Sequence, residues 1–154
     1  MSCKLSVIMA HLDEFRHHFI DSHYHIICMS ETWLKLDIPD SIVALPGYTL
    51  FRCDRTGRQG GGVAFFLSNF LRAVILEQST PDEHYRKSEF LIAEININRA
   101  SKLLLAVVYR PPNCGYLQIF EDLFLELQSK YRHSVIFGDL NADMMVDTYD
   151  STQL

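Results

Sequence analysis

At 154 residues, 48% hydrophobic and 21% charged, the chain has the size and composition of one globular domain rather than of a disordered segment. Its formal net charge of −5 argues against attachment to nucleic acid through a broad basic surface. An acidic metal site remains compatible with that charge, because the bound cation offsets it. The cysteines Cys3, Cys28, Cys53 and Cys114 form no C-x-x-C pair, which argues against a zinc ribbon. No secretory signal and no apolar run of membrane-spanning length is legible, so a soluble, intracellular protein with reduced thiols is expected.

In chain order, Ile8, Leu12, Phe15 and Phe19 recur at helical spacing and form one apolar stripe. His25 to Ser30 is short, apolar and partly β-branched, and reads as a buried strand. Pro46-Gly47 marks a turn into a strand from Tyr48 to Arg52. Arg52 to Gly62 is a polar, Gly-rich loop. Val63 to Leu67 and Arg72 to Leu76 read as strands around a Ser68-Asn69 turn. Phe90 to Ile97 alternates cleanly, and with Lys102 to Tyr109 it forms a hairpin that Pro111-Pro112 ends. Phe120, Leu123, Phe124, Leu127 and Tyr131 line a second helix. Val135 to Phe137 is apolar on both faces, so neighbours on both sides are expected for it. The pattern is a single α/β unit with two helices and about seven strands.

Three polar motifs follow three apolar strands. Ser30-Glu31-Thr32-Trp33 places a carboxylate at a strand end, where α/β folds carry their sites. Glu31 there is either an oxygen ligand for a hard cation such as Mg²⁺ or an exposed helix-start residue. In Gly138-Asp139-Leu140-Asn141, an extended chain would turn Asp139 and Asn141 to the same side, where they suit a water nucleophile and a phosphate oxygen. The bland alternative is a polar turn. In Tyr109-Arg110-Pro111-Pro112-Asn113, the phenol and the guanidinium are suited to phosphate oxygens, or else the Tyr packs above a rigid turn. Arg52, Arg55 and Arg58 lie on the Gly-rich loop and serve either a DNA backbone or solvent. The seven histidines include no H-E-x-x-H and are not assigned to a site.

Taken in order, SETW, GGGVAFF, VYRPPN and GDLNAD resemble the endonuclease domains of non-LTR retrotransposons, members of the endonuclease/exonuclease/phosphatase superfamily. The resemblance runs from the first helix to about Asp143. It implies a pancreatic-deoxyribonuclease-like, four-layer α/β sandwich with two packed mixed β-sheets flanked by helices. It implies a Mg²⁺- or Mn²⁺-dependent endonuclease acting on DNA, with the remainder of a retrotransposon polyprotein, including reverse transcriptase, as a partner, and a nuclear site of action. By the same resemblance Glu31 matches the metal ligand and Tyr109 the scissile-phosphate contact. Asp139 matches the residue that orients or deprotonates the attacking water, and Asn141 the neighbour that holds phosphate and water. Arg110 occupies the position of an Arg beside that Tyr, and Asn113 belongs to the same phosphate-facing motif. The family's first strand, bearing an Asn, and its closing Ser-Asp-His strand end have no counterpart here. Residues 1–154 are therefore expected to form one incomplete domain. A catalytically inactive transposon-derived fragment, inert or acting only as a binding module, is the alternative.

Overall fold

The computed structural model describes residues 7–57, 59–80, 87–112 and 117–141. Two short helices, α1 (Val7–Ala10) and α2 (Leu12–Phe19), precede strand β1 (Ile26–Ser30) and a one-turn helix α3 (Asp40–Val43). Then come β2 (Tyr48–Cys53), β3 (Val63–Ser68), β4 (Arg72–Gln78), β5 (Glu89–Asn96), β6 (Lys102–Tyr109), α4 (Gln118–Gln128) and β7 (His133–Asp139). Among the described residues no helix is long and apolar enough to cross a membrane.

The strands form two sheets, ordered β1-β3-β2 and β4-β5-β6-β7. The first is wholly antiparallel; only the second is mixed, through the parallel β6–β7 pair. Alternation along β5 and β6 shows how they pack. Leu91, Ala93, Ile95, Leu105 and Val107 meet Val63, Phe65 and Leu67 of the other sheet in the central core. Phe90, Ile92, Leu104, Ala106 and Val108 face the opposite way, against Phe120 and Phe124 of α4. On the far side of the first sheet, Phe66 and Ile27 meet Phe15 and Phe19 of α2. The inner strands β3, β5 and β6 bury both faces because each sheet is covered twice. The outcome is helix, sheet, sheet, helix: the expected four-layer sandwich.

Two expectations are corrected. The apolar segment Val135 to Phe137 is not buried: Val135, Ile136 and Phe137 are 37%, 47% and 52% exposed. Among the described residues β7 is an edge strand that pairs only with β6, so one flank has no neighbour to cover its side chains. For the same reason β1, at the edge of its sheet, buries only Ile27 fully. The strands on either side of Ser68-Asn69 do not pair with each other. That turn carries the chain from one sheet to the other.

Candidate active site

The parallel β6–β7 pairing brings two of the polar motifs to one rim, because both strands run toward it. Tyr109 at the end of β6 stands opposite Asp139 at the end of β7. The backbone continues this pairing: the Arg110 N–H donates to the Asp139 carbonyl at 2.9 Å. Gly138 is needed here, since a Cβ would overlap the Val108 carbonyl of the neighbouring strand. Beyond Asp139 the chain does not stay extended. Asn141 adopts a left-handed φ of 45°, which Asn tolerates better than most residues. Its N–H donates to Asp139 Oδ1 at 2.9 Å and its Nδ2 donates to the Arg110 carbonyl at 2.7 Å. A turn, rather than strand alternation, thus brings the exposed Asp139 and Asn141 together.

The third motif arrives from the facing sheet. Glu31 follows β1 with φ 55° and Trp33 has φ 56°. Such dihedrals cost about 1–2 kcal/mol per non-glycine residue and persist where surroundings impose them. The surroundings here are the Gly-rich loop. The Thr32 N–H donates to the Gly62 carbonyl at 3.2 Å and the Trp33 N–H to the Gly61 carbonyl at 2.8 Å. The buried Thr32 lies so close that a Cβ on Gly62 would stand 2.5 Å from its Oγ1. The SETW and GGG motifs are therefore two halves of one joint. The joint presents the exposed Glu31 to the Tyr109 hydroxyl, which donates a hydrogen bond to Glu31 Oε1.

Tyr109 is 4% exposed. Burial, and then the hydrogen bond to Glu31 and its charge, push the phenol far above its ordinary range, with Arg55 opposing. Tyr109 is accordingly a neutral hydrogen-bond donor. The Arg55 guanidinium lies 5.6 Å from the Tyr109 ring centroid, a cation–π distance. Arg55 is ion-paired with Glu89, whose other carboxylate oxygen accepts the Gly62 N–H at 2.6 Å. Glu89 stands directly opposite Tyr109 in the β5–β6 hairpin.

Glu31, Tyr109, Asp139, Asn141 and Arg55 thus form one connected cluster. The other expected residues are placed differently. Arg110 is buried, with its guanidinium Nη1 3.3 Å from the Leu140 carbonyl, beneath the rim rather than on it. Arg52 pairs with Asp40 at 3.1 Å and Asp54 at 3.3 Å and donates to the Ile38 carbonyl at 2.7 Å, fastening α3 to β2. Arg58 and Asn113 lie outside the described residues. Glu89 belongs to none of the sequence motifs, although the hairpin register carries a signal for it. Counting outward from the Asn98–Ser101 turn places it across the hairpin from Tyr109. Beside the cluster a cleft of about 500 Å³ opens between Lys35, Asp37, Arg55, Thr56 and Gln59.

Among the described residues no three His, Cys, Asp or Glu side chains gather into a metal cage. The exposed Glu31 carboxylate does fit Mg²⁺ or Mn²⁺, since such a cation keeps much of its water and takes one or two carboxylates.

No family model matches the chain. No curated protein matches it either. Solved structures do. The human nocturnin catalytic domain with bound sulfate is 14% identical over 94% of this chain and 64% of that one, with TM-score 0.59. TDP2 from Caenorhabditis elegans is 15% identical over 90% of this chain and 45% of that one, with TM-score 0.61. TDP2 from D. rerio, complexed with a single-strand DNA product, is 14% identical over 92% and 57%, with TM-score 0.57. The chain thus spans less than two thirds of the length of each. The chain has the fold of these structures, two packed sheets flanked by helices.

Proposed function

We propose that the chain is an endonuclease-type domain derived from a non-LTR retrotransposon, a divalent-metal-dependent hydrolase of DNA phosphodiesters. The observation that carries this reading is the convergence of Glu31, Tyr109, Asp139 and Asn141, from three strands of two sheets, at one open rim. Phosphodiester hydrolysis needs a positioned water, stabilisation of charge on the phosphate and a cation. The exposed Asp139 takes the proton of the attacking water. The new P–O bond forms as the bond to the leaving oxygen breaks, and solvent protonates that alkoxide. Tyr109, kept neutral, turns its one O–H from Glu31 toward the oxygen that gains charge, with Arg55 beside its ring. Asn141, held by its Nδ2 bond to the Arg110 carbonyl, keeps the phosphate and water in register. Arg110 supports that turn from below. Glu31 would hold Mg²⁺ or Mn²⁺, which supplies neutralisation of the phosphate charge.

Support for DNA as substrate comes from the SETW, YRPPN and GDLNAD motifs and from the single-strand DNA bound by the D. rerio TDP2 of the same fold. A reverse transcriptase on the same polyprotein and a nuclear site of action belong to this reading. Cleavage of an oligonucleotide in heavy-oxygen water tests the chemistry. One labelled oxygen per newly formed phosphate end is expected from direct water attack. A covalent DNA adduct on Tyr109 would contradict it.

A further inference from the structure

We propose that Glu89 is a positioning residue that holds the Arg55 guanidinium over the Tyr109 ring, where the cation faces a substrate phosphate. This rests on the phosphodiesterase reading above. The geometry is that of a brace. Glu89 is anchored in β5 opposite Tyr109. One carboxylate oxygen takes Arg55 Nε and the other takes the Gly62 N–H at 2.6 Å. The Arg55 and Glu89 side chains are only 14% and 13% exposed. Arg55 also lines the cleft of about 500 Å³, so the braced side chain borders both the Tyr109 ring and open space. A guanidinium has five N–H donors, and Nε is the one committed to Glu89.

Charge makes the role specific. A carboxylate beside an anionic substrate is unfavourable by itself, and removing it should favour substrate binding. Its presence makes sense through Arg55. On a Gly-rich loop an unbraced arginine would samples many positions, and Glu89 removes that freedom before substrate arrives. The expected signature of Glu89→Gln is a fall in kcat of about tenfold or more with KM unchanged or lowered. A purely structural ion pair would lower the melting temperature without that split.

The test combines kinetics with a readout that needs no substrate. Proton shifts of the Arg55 side chain, moved by the Tyr109 ring current, are recorded by NMR in the wild-type protein, Glu89→Gln and Glu89→Asp. The Asp variant serves if the Gln variant fails to fold. Nicking rates are measured for Glu89→Gln, Arg55→Gln and the double variant. We expect the ring-current shift to collapse without Glu89, and the double variant to be no slower than Arg55→Gln alone. An unchanged Arg55 shift in Glu89→Gln overturns the proposal. So do single-variant losses that multiply in the double variant. A wild-type protein that cleaves nothing, with the shift still dependent on Glu89, would instead sink the phosphodiesterase reading and with it the role assigned to the brace.

Discussion

Replacing Tyr109 with Phe separates chemistry from stability. The ring sits in the central core beside Leu91 and Val107 and is 4% exposed, so Phe keeps all of the apolar contact. What is lost is the hydroxyl's bond to Glu31. A hydrogen bond to a charged group contributes about 1.5–3 kcal/mol, but the exposed Glu31 regains water and the buried hydroxyl no longer has to be desolvated. A net destabilisation of about 1 kcal/mol or less remains, which lowers the melting temperature by about 2–4 °C for a domain of this size. In the proposed mechanism the transition state fares worse, since no water replaces a buried donor that turns from Glu31 to the phosphate. Loss of one such donor costs about 10²–10³ in kcat, or roughly 2.7–4 kcal/mol. The assay pairs calorimetry with single-turnover cleavage of a labelled oligonucleotide. A kcat fall of two orders with a nearly unchanged melting temperature is expected. Cleavage within about threefold of wild type would refute the donor role of Tyr109, since that is well below the loss expected for one donor.

Gly138→Ala should destabilise by about 1–3 kcal/mol, as overpacking does, because its Cβ would overlap the Val108 carbonyl. Denaturant unfolding measures this, and cleavage should fall as well, since any relief moves Asp139 away from Tyr109. Ile136→Lys on the exposed edge strand should reduce aggregation and dye binding to apolar surface without lowering the melting temperature. A drop of several degrees would show that Ile136 is covered. Glu94 has its carboxyl pulled below the ordinary range by hydrogen bonds from Lys102 and Tyr131. A lowered folded-state pKa contributes stability that is present above the ordinary Glu pKa and is lost as pH falls through the folded value. Glu94→Gln should therefore flatten the acid limb of the stability curve and leave its relative loss largest near neutral pH.

The sequence carried most of the layout because the strands announce themselves locally. Leu91, Ala93 and Ile95 alternate toward one core while Phe90 and Ile92 serve the other, and Lys102 to Tyr109 was legible to the residue. Strand-end motifs were legible for the same reason: Glu31, Tyr109 and Asp139 each follow an apolar run. Burial of β7 was not, since an apolar strand carries no mark of whether a neighbour pairs with its second edge. Nor was the brace between Arg55 and Glu89, which links positions 34 apart and depends on how the two sheets face each other. The left-handed turn at Asn141 also escaped, because alternation assumes a chain that stays extended.

Nicking of supercoiled plasmid by the purified protein, with Mg²⁺, with EDTA, and with Asp139→Ala as control, tests the central claim most directly. Metal-dependent nicking that disappears in the Asp139→Ala protein is the predicted result. A cooperatively folded protein that nicks no plasmid with either Mg²⁺ or Mn²⁺ would contradict it.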